Sequence, residues 1–208
     1  MMKKLGIQGR IKHKYITTTN SKHHNKIYPN LIKDKELTGI NQVWCSDITY
    51  IRILNGFVYL AAIIDIYSRK IVGYAIGKTL SSELAIAALK MAITSRNTDN
   101  LIHHSDRGIQ YTCKDYIKIL RDNGIRISMS GKGNPYDNAF AESLFKTIKQ
   151  EEVYLWQYET FFDVIERIPY FIEGVYNRKR LHSSLGYRPP EEYERLLAEN
   201  SSRECMVC

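Results

Sequence analysis

The chain has 208 residues, which is enough for one sizeable hydrophobic core with a small appendage. Its 44% hydrophobic and 25% charged residues are typical of a globular protein, and no apolar run approaches the roughly 18 residues of a membrane span. The basic start lacks an apolar signal segment, and the four cysteines are too few and too unevenly spaced for a disulfide framework. These features argue against membrane and disulfide-rich secreted proteins and predict a cytoplasmic one.

Nearly all of the net charge of +8 lies in residues 1–40. This segment holds nine lysines and arginines against Asp34 and Glu36, a net charge of +7, and few large apolar residues after Ile16. It cannot bury much surface and is expected to be an arm. Its charge fits either a solvated arm or one that contacts nucleic-acid phosphates, and both interpretations stay open.

The globular pattern starts near Gln42 with three predicted strands. Two β-rich runs flank Asn55-Gly56, a dipeptide typical of a type I′ hairpin turn, and a third run covers residues 70–76. Because the connections are short, these strands are expected to pair antiparallel in chain order.

Helices and strands alternate in the rest of the chain. SSELAIAALKMAITSR predicts a helix capped by Ser81 or Ser82, and KDYIKILRDNG predicts an amphipathic helix capped by Thr112. LIHHSD and IRISMS are short predicted strands. The glycine-rich loop GKGNPYDN leads into a helix in NPYDNAFAESLFKTIKQE, and FFDVIERIPYFIEGVYNRKR predicts a last helix disturbed at Pro169.

The resulting order of elements is β-β-β-α-β-α-β-α-α. Three meander strands followed by alternating helices and strands predict an α/β fold with a mixed five-stranded sheet flanked by helices. This is the order of the ribonuclease-H-like fold, preceded here by the basic N-terminal arm. In that fold the first strand, the fourth strand and the late helix converge at one edge of the sheet.

Three carboxylates are expected at that edge. Asp47 lies in the first strand among apolar β-formers, Asp106 follows the fourth strand, and Glu142 is on the helix after the glycine-rich loop. Gathered there, they would repel one another, which raises carboxyl pKa values. A divalent cation relieves this repulsion, and hard oxygen ligands suit Mg²⁺ or Mn²⁺. We expect two ions, roughly 3.5–4 Å apart, as in the clamp used for phosphoryl transfer.

Each carboxylate also has a purely structural interpretation. Asp47 would then pair with a nearby arginine or lysine, and Asp106 would form an Asx-turn in SDRG. Glu142 would bridge to Lys146 across one helical turn. Strand order and spacing together favour the site over these alternatives.

Three weaker candidates also carry titratable groups. Asp65, with apolar neighbours, is expected to form a structural pair with Arg69 rather than bind metal. His103 and His104 flank the end of the fourth strand, and core or surface roles are expected for them. Cys205 and Cys208 form a C-x-x-C spacing without two further ligands nearby, so an incidental tail is expected rather than a zinc site.

Four segments, in order, carry a family resemblance: WCSDITYI, HHSDRGIQY, NPYDNAFAESLFKTIKQE and, in residues 176–194, YNRKRLHSSLGYRPPEEYE. They resemble the integrase-like catalytic core of bacterial insertion-sequence transposases, more narrowly the second-frame product of two-frame elements related to retroviral integrases. The resemblance extends from about residue 37 to residue 196.

The resemblance implies a DDE transposase that cleaves DNA and transfers strands of an insertion sequence in a metal-dependent reaction. Asp47, Asp106 and Glu142 match the three acids of the triad, as catalytic and metal-binding residues. Lys149 matches a basic position that the family uses near the DNA end. The implied partners are double-stranded DNA of the element ends and target, further copies of the chain on that DNA, and an upstream-frame partner or fusion. The implied location is the bacterial cytoplasm, associated with the nucleoid.

Basic residues near the triad are predicted to bind DNA. Glu142 shares one helical stripe with Phe145, Lys146 and Lys149, so the two lysines can neutralise phosphates drawn into the site, whereas Phe145 is predicted to pack into the core. Asn138, one turn earlier, is expected to bind substrate or to cap the helix. A basic cluster with aromatic content near the end of the core supplies three more predicted backbone contacts, Arg178, Lys179 and Arg180.

The boundaries expected from this resemblance divide the chain into three parts. Residues 1–36 form the basic arm, a remnant of an upstream helix-turn-helix-like region; residues 37–197 form the integrase-like catalytic core; and residues 198–208 form a tail. Two other functions stay open. One is a ribonuclease-H-like nuclease that hydrolyses without joining strands, and the other is a truncated, non-catalytic DNA-binding remnant.

Overall fold

A mixed sheet with helices on both faces organises the computed structural model, which describes residues 25–131 and 138–206, with side chains up to residue 200. Most of the predicted basic arm (residues 1–24) and most of the predicted glycine-rich loop (residues 132–137) lie outside the described residues. Each helix within the described ranges is too short or too polar to cross a bilayer.

Five strands form the sheet in the order β3-β2-β1-β4-β5. They are β1 (Val43–Ile53), β2 (Gly56–Asp65), β3 (Ile71–Gly77), β4 (Ile102–Ser105) and β5 (Arg126–Met129). The first three strands pair antiparallel, whereas β4 pairs parallel with β1 and β5 pairs parallel with β4. The predicted five-stranded mixed sheet with its antiparallel meander is therefore confirmed.

The hairpin between β1 and β2 bends one residue earlier than predicted. Ile53 pairs with Gly56, so the loop is Leu54-Asn55, and Gly56 alone among these residues has a positive φ, 126°. A type I′ turn needs positive φ at both central residues, so the predicted turn type is wrong although the hairpin itself is confirmed. Gly56 adopts a conformation that is costly for any residue with a Cβ.

The helices occupy both faces of the sheet and the end of the chain. They are α1 (Ser82–Ser95), α2 (Ile109–Thr112), α3 (Lys114–Asp122), α4 (Ala139–Ile148), α5 (Tyr154–Trp156), α6 (Phe161–Tyr170) and α7 (Pro190–Met206). Two π-helical turns, Lys149–Val153 and Phe171–Tyr176, follow α4 and α6, and Ser183–Leu185 is a short 3₁₀ helix.

Sequence reasoning missed α2, α5 and α7 and misplaced one cap. Thr112 ends α2, so the cap of α3 is Cys113 and the predicted cap is wrong. The signal for α7 was present, because Pro190 is its first residue, where proline is favoured, and acidic residues follow it. The predicted disturbance of the last helix is confirmed, since Pro169 lies at the end of α6 and a π-helical turn follows.

Alternate side chains of β1 pack into two different hydrophobic cores. Cys45 and Ile51 face the core formed with α4 and α6, whereas Trp44 and Ile48 face the core formed with α1 and α3. Asp47 has the parity of Cys45 and therefore lies on the α4 face of the sheet.

Asn177 joins residues 176–194, the closing segment, to the sheet. Its Oδ1 accepts a hydrogen bond from Ile71 N and its Nδ2 donates one to Ile71 O, both at 3.0 Å, and the side chain is 1% exposed. Glu194 of α7 adds a second link, since it accepts from Ser68 Oγ at 2.7 Å and Arg96 Nη1 at 2.8 Å. The closing segment is thus part of the core structure.

Substituting Asn177→Ala is expected to lower the free energy of unfolding by about 2–4 kcal/mol, because it leaves the buried N–H and C=O of Ile71 without partners, each of which costs about 1–3 kcal/mol. Urea unfolding measures this change. Asn200→Ala, at an exposed position of α7, is the control and should change stability by less than about 0.5 kcal/mol. Equal stability of the two variants would contradict the anchoring role.

Candidate active site

The pairing of β1 with β4 brings two of the predicted acids together. Ser46 of β1 lies opposite Ser105 of β4 in the parallel register. Asp47 follows Ser46 and Asp106 follows Ser105 in the same direction. Asp47 is half-buried, and its Oδ1 accepts a hydrogen bond from Ile48 N at 2.7 Å. The sheet therefore places both carboxylates at one edge, as expected for this fold.

Asp106 also forms the predicted Asx-turn. Its Oδ1 accepts a hydrogen bond from Gly108 N at 2.8 Å. A Cβ at Gly108 would lie 2.9 Å from the same oxygen, so a glycine is needed for the main chain to approach this closely. The turn orients the carboxylate and is compatible with a role in the site.

Glu142 approaches from α4. It is exposed, as is Lys146 one turn later, whereas Phe145 is 6% exposed and packs in the core, as predicted. Asp47, Glu142, Lys146 and Lys149 line one cavity of about 440 Å³. The stripe predicted from the sequence is therefore present, with its acid and both bases turned to the same space.

Asp47 responds electrostatically to the other two acids. Burial, followed by the negative charge of Asp106, raises its pKa from 3.8 to about 7. The hydrogen bond from Ile48 lowers this pKa, Glu142 raises it further and Lys149 lowers it. The three carboxylates thus lie within electrostatic range of one another, and their repulsion falls on the most buried of them.

Lys149 is held by an aromatic residue that sequence reasoning missed. Its Nζ lies 4.5 Å from the centroid of the Tyr50 ring, a cation–π contact, and Tyr50 lines the same cavity. Burial lowers the pKa of Lys149, and Asp47 partly restores it. The sequence carried no signal for this contact, because residues three apart in a strand normally point to opposite faces of the sheet.

Asn138 occupies the N-cap position of α4, yet in the described structure its side chain makes no capping hydrogen bond. Its Oδ1 instead accepts a hydrogen bond from Cys45 Sγ at 2.8 Å, and the residue is 7% exposed. This buried bond ties the start of α4 to β1, two residues before Asp47. Sequence reasoning missed it because the partners are 93 positions apart.

The predicted DNA contacts of the closing segment are mostly occupied by acids. Arg178 pairs with Glu191 at 3.0 Å, and Arg180 pairs with Glu151 at 2.8 Å. Lys179 is exposed. These three residues do not line the cavity that contains Asp47 and Glu142.

The weaker candidates have structural roles. The carboxylate of Asp65 accepts hydrogen bonds from the backbone of Asn41, Tyr67 and Ser68. The expected structural partnership with Arg69 is made through the backbone, since Arg69 N donates a hydrogen bond to Asp65 O at 2.9 Å. The guanidinium of Arg69 lies 4.3 Å from the centroid of the Phe140 ring and is attracted to Asp65 from farther away.

The two histidines are buried core residues, as expected. His103 Nε2 lies 3.0 Å from Tyr116 Oη, and His104 Nδ1 lies 2.8 Å from Ser128 Oγ. Burial, followed by the neighbouring His104, lowers the pKa of His103 to about 3, so its ring is neutral at physiological pH.

The chemistry of the donor set fits a divalent cation. Asp47, Asp106 and Glu142 offer only carboxylate oxygens, the ligands that hard divalent cations prefer. Burial and the negative charges of Asp106 and Glu142 raise the pKa of Asp47, and a bound cation would offset those charges. Among the described residues, no three acidic, histidine or cysteine side chains are close enough to hold one ion together. Ligation by all three acids therefore requires them to approach more closely than they do here.

Comparison with known proteins places the chain in a family. Two family models, each described as an integrase core domain, match residues 38–135 and 123–190. The chain is 42% identical over 204 residues to the insertion element IS600 uncharacterized 31 kDa protein of Shigella sonnei, covering 95% of this chain and 75% of that protein. It is 40% identical to the transposase for insertion sequence element IS904 of Lactococcus lactis, covering 84% of this chain and 72% of that protein. The chain belongs to the insertion-sequence transposase family.

A third relative in this transposase family is the transposase InsF for insertion sequence IS3A of Escherichia coli K12. It is 35% identical, over 93% of this chain and 68% of that protein. With the integrase core models, these relatives give the chain a transposase or integrase function.

Solved structures of integrases share the fold of this transposase. A simian T-cell lymphotropic virus intasome chain matches with a TM-score of 0.62 at 17% identity, covering 85% of this chain and 61% of that chain. The HTLV-2 integrase catalytic core domain in complex with magnesium matches with a TM-score of 0.57 at 15% identity, covering 74% of this chain and 96% of that chain. The predicted ribonuclease-H-like fold is confirmed.

The charge on Asp47 is expected to destabilise the metal-free transposase. Because the folded-state pKa is raised to about 7, the penalty is fully present above that pH and disappears as the pH falls towards the ordinary value of 3.8. Asp47→Asn should therefore raise the free energy of unfolding by on the order of 2 kcal/mol at pH 8, and the gain should shrink on acidification.

Urea unfolding in a chelator, at pH 8 and pH 5, measures this effect. The control is Asp99→Asn, at an exposed position, which should leave stability unchanged at both pH values. An Asp47→Asn variant no more stable than the parent at pH 8 would show that Asp47 is not under electrostatic strain.

Proposed function

We propose that the chain is the catalytic core of a DDE transposase that cleaves DNA and joins strands, with Asp47, Asp106 and Glu142 as its acids. One observation supports this most directly: besides burial, the negative charges of Asp106 and Glu142, which come from other parts of the chain, raise the pKa of Asp47. A buried carboxylate with a pKa raised by two other acids is typical of a functional site. The family relationship supplies the reaction class.

In the proposed reaction, a water or a DNA 3′-hydroxyl attacks a phosphodiester in line. The new oxygen–phosphorus bond forms as the bond to the leaving oxygen breaks. Divalent cations bound by Asp47, Asp106 and Glu142, Mg²⁺ or Mn²⁺, would supply Lewis-acid stabilisation to the attacking and leaving oxygens. The partner is double-stranded DNA, and several copies of the chain are expected to assemble on it.

The basic residues of the cavity position the DNA in this proposal. Lys146 is exposed at the mouth, and Lys149 is half-buried beside Asp47 with its ammonium group on the Tyr50 ring. Their charges offset those of the acids and attract the phosphodiester. Fixing the ammonium on an aromatic face reduces the freedom that a lysine loses when it binds a phosphate.

Strand transfer should require the third acid. A labelled duplex ending in the element's terminal repeat, with Mg²⁺ or Mn²⁺, should give joined product with the parent chain. Glu142→Gln should reduce the product by at least about a thousandfold, since it removes charge stabilisation from the transition state.

Glu166→Gln, an exposed glutamate of α6, is the matched control and should act like the parent. Near-parental joining by Glu142→Gln would overturn the assignment of the triad. Hydrolysis without joining would indicate a nuclease, and binding without cleavage a non-catalytic remnant.

Lys149→Gln is expected to weaken DNA binding and turnover together. The loss of one charge-assisted contact corresponds to a decrease of about ten- to a hundredfold in kcat/KM. Steady-state kinetics on the same duplex measure it, and Lys90→Gln, an exposed lysine of α1, is the control. Equal kcat/KM values for the two variants would exclude a contact between Lys149 and DNA.

A further inference from the structure

A second polar cavity lies on the other flank of α4. It measures about 360 Å³, and its lining includes three basic residues and three aliphatic hydroxyl groups: Arg69, Arg180, His182, Ser143, Thr147 and Ser184. None of the three acids of the proposed active site lines it. Its residues come from the turn before β3, from α4 and from the closing segment, so the fold itself assembles it.

Arg69 is the unusual member of this cavity. It is half-buried, its backbone has a φ of 62° in the left-handed region, and its guanidinium stacks on Phe140 at 4.3 Å. Within the described ranges, no carboxylate lies within 4.0 Å of it; Asp65 attracts it from farther away. Burial lowers the pKa of Arg69, which shows that its charge is poorly solvated. A strained, partly desolvated cation with no ion pair is a binding group for an anion.

The other charged groups leave the cavity positive. Arg180 is matched by Glu151 at 2.8 Å, so that pair contributes no net charge. Burial, followed by the nearby charges of Arg180 and Arg69, lowers the pKa of His182 to about 4, so its ring is neutral at physiological pH and can donate or accept a hydrogen bond. The net charge of one that remains is that of Arg69.

The geometry of α4 relates this cavity to the acids. The helix packs on the sheet through Ala141, Leu144, Phe145 and Ile148. Successive residues of a helix point about 100° apart, so Glu142 and Lys146 lie on one flank of that buried stripe and Phe140 and Thr147 lie on the other. An exposed ridge separates the two flanks. DNA that crosses this ridge can reach both cavities at once.

We propose that the cavity around Arg69 binds one backbone phosphate of a DNA molecule while another phosphate of the same DNA enters the site of Asp47, Asp106 and Glu142. A guanidinium with hydroxyl groups beside it matches the oxygens of a phosphodiester, and Arg69 forms the fork of the contact. A helix is about 10–12 Å across and one DNA strand rises about 3.4 Å per nucleotide, so the two phosphates are about three nucleotides apart. This inference rests on the proposed function.

Salt dependence of duplex binding tests the contact without requiring chemistry. Each phosphate contact contributes about 0.9 to the slope of log K against log salt concentration, so Arg69→Gln should lower the slope by about 0.9. Its affinity should fall by about ten- to a hundredfold, and Arg69→Lys should restore part of it. The control is Arg126→Gln, exposed at the start of β5, which should leave slope and affinity unchanged. An unchanged slope in a folded Arg69→Gln variant would overturn the proposal.

Methylphosphonate substitution, which removes one phosphate charge at a time, locates the contact. Substitution at one position about three nucleotides from the cleaved bond should lower the DNA affinity of the parent chain. The same substitution should not lower the affinity of Arg69→Gln any further. If Arg69→Gln and methylphosphonate substitution lower DNA affinity additively at every position, the proposal is overturned. If Arg69→Gln loses its fold, Ser184→Ala, at an exposed position of the cavity, takes its place in the same scan.

Two further experiments distinguish a DNA phosphate from the other possible occupants of the cavity. Inorganic phosphate alone should raise the melting temperature of the parent but not of Arg69→Gln; stabilisation by phosphate with no change in DNA binding would identify a free-anion site and overturn the DNA contact. A change of oligomeric state in Arg69→Gln without DNA would instead identify a second copy as the occupant. If the parent chain gives no strand transfer but Arg69→Gln still lowers the salt-dependence slope of DNA binding, the proposed catalysis is contradicted and this DNA contact is retained.

Discussion

The parallel pairing of β1 with β4 is the constraint on which the site depends. It sets Asp47 beside Asp106 at one edge of the sheet, where two like charges repel one another. The arrangement persists because β1 is the central strand, hydrogen-bonded on both sides and buried between two hydrophobic cores. The packing of Trp44 and Cys45, both fully buried, leaves β1 little freedom to move the acid away.

Helix α4 converts this strand geometry into a site with two flanks. Its buried stripe fixes the helix on the sheet, and the hydrogen bond between Cys45 and Asn138 fixes its start. The π-helical turn after it is anchored by Glu152, which accepts hydrogen bonds from Tyr158 Oη and Arg167 Nε, both at 2.8 Å. Such turns shift the phase of a helix, and this one begins at Lys149, the base whose charge lowers the pKa of Asp47.

The closing segment stabilises the fold. Three of its basic residues, Arg178, Lys179 and Arg180, were predicted to contact DNA, yet Asn177 completes the hydrogen bonding of β3, and both of these arginines pair with glutamates. Most of the segment lies within the second integrase core match, which ends at residue 190, and the likeness to retroviral integrases at 14–18% identity shows only the fold. The closing segment therefore completes the core and also forms one wall of the cavity that contains Arg69.

The sequence by itself determined the class of fold, the meander, the family and the helical stripe of Glu142, Lys146 and Lys149. These depend on local periodicity and on motifs of adjacent residues, which a single chain displays directly. Only the tertiary structure decided that Tyr50 holds Lys149, that Asn138 bonds to Cys45 and that Arg69 stacks on Phe140. These contacts join residues that are far apart in the chain, and side-chain packing between separate elements has no periodic signature. The turn at Gly56 and the cap of α3 were predicted from local sequence signals, but the structure places each of them one residue away, because neighbouring elements shifted them.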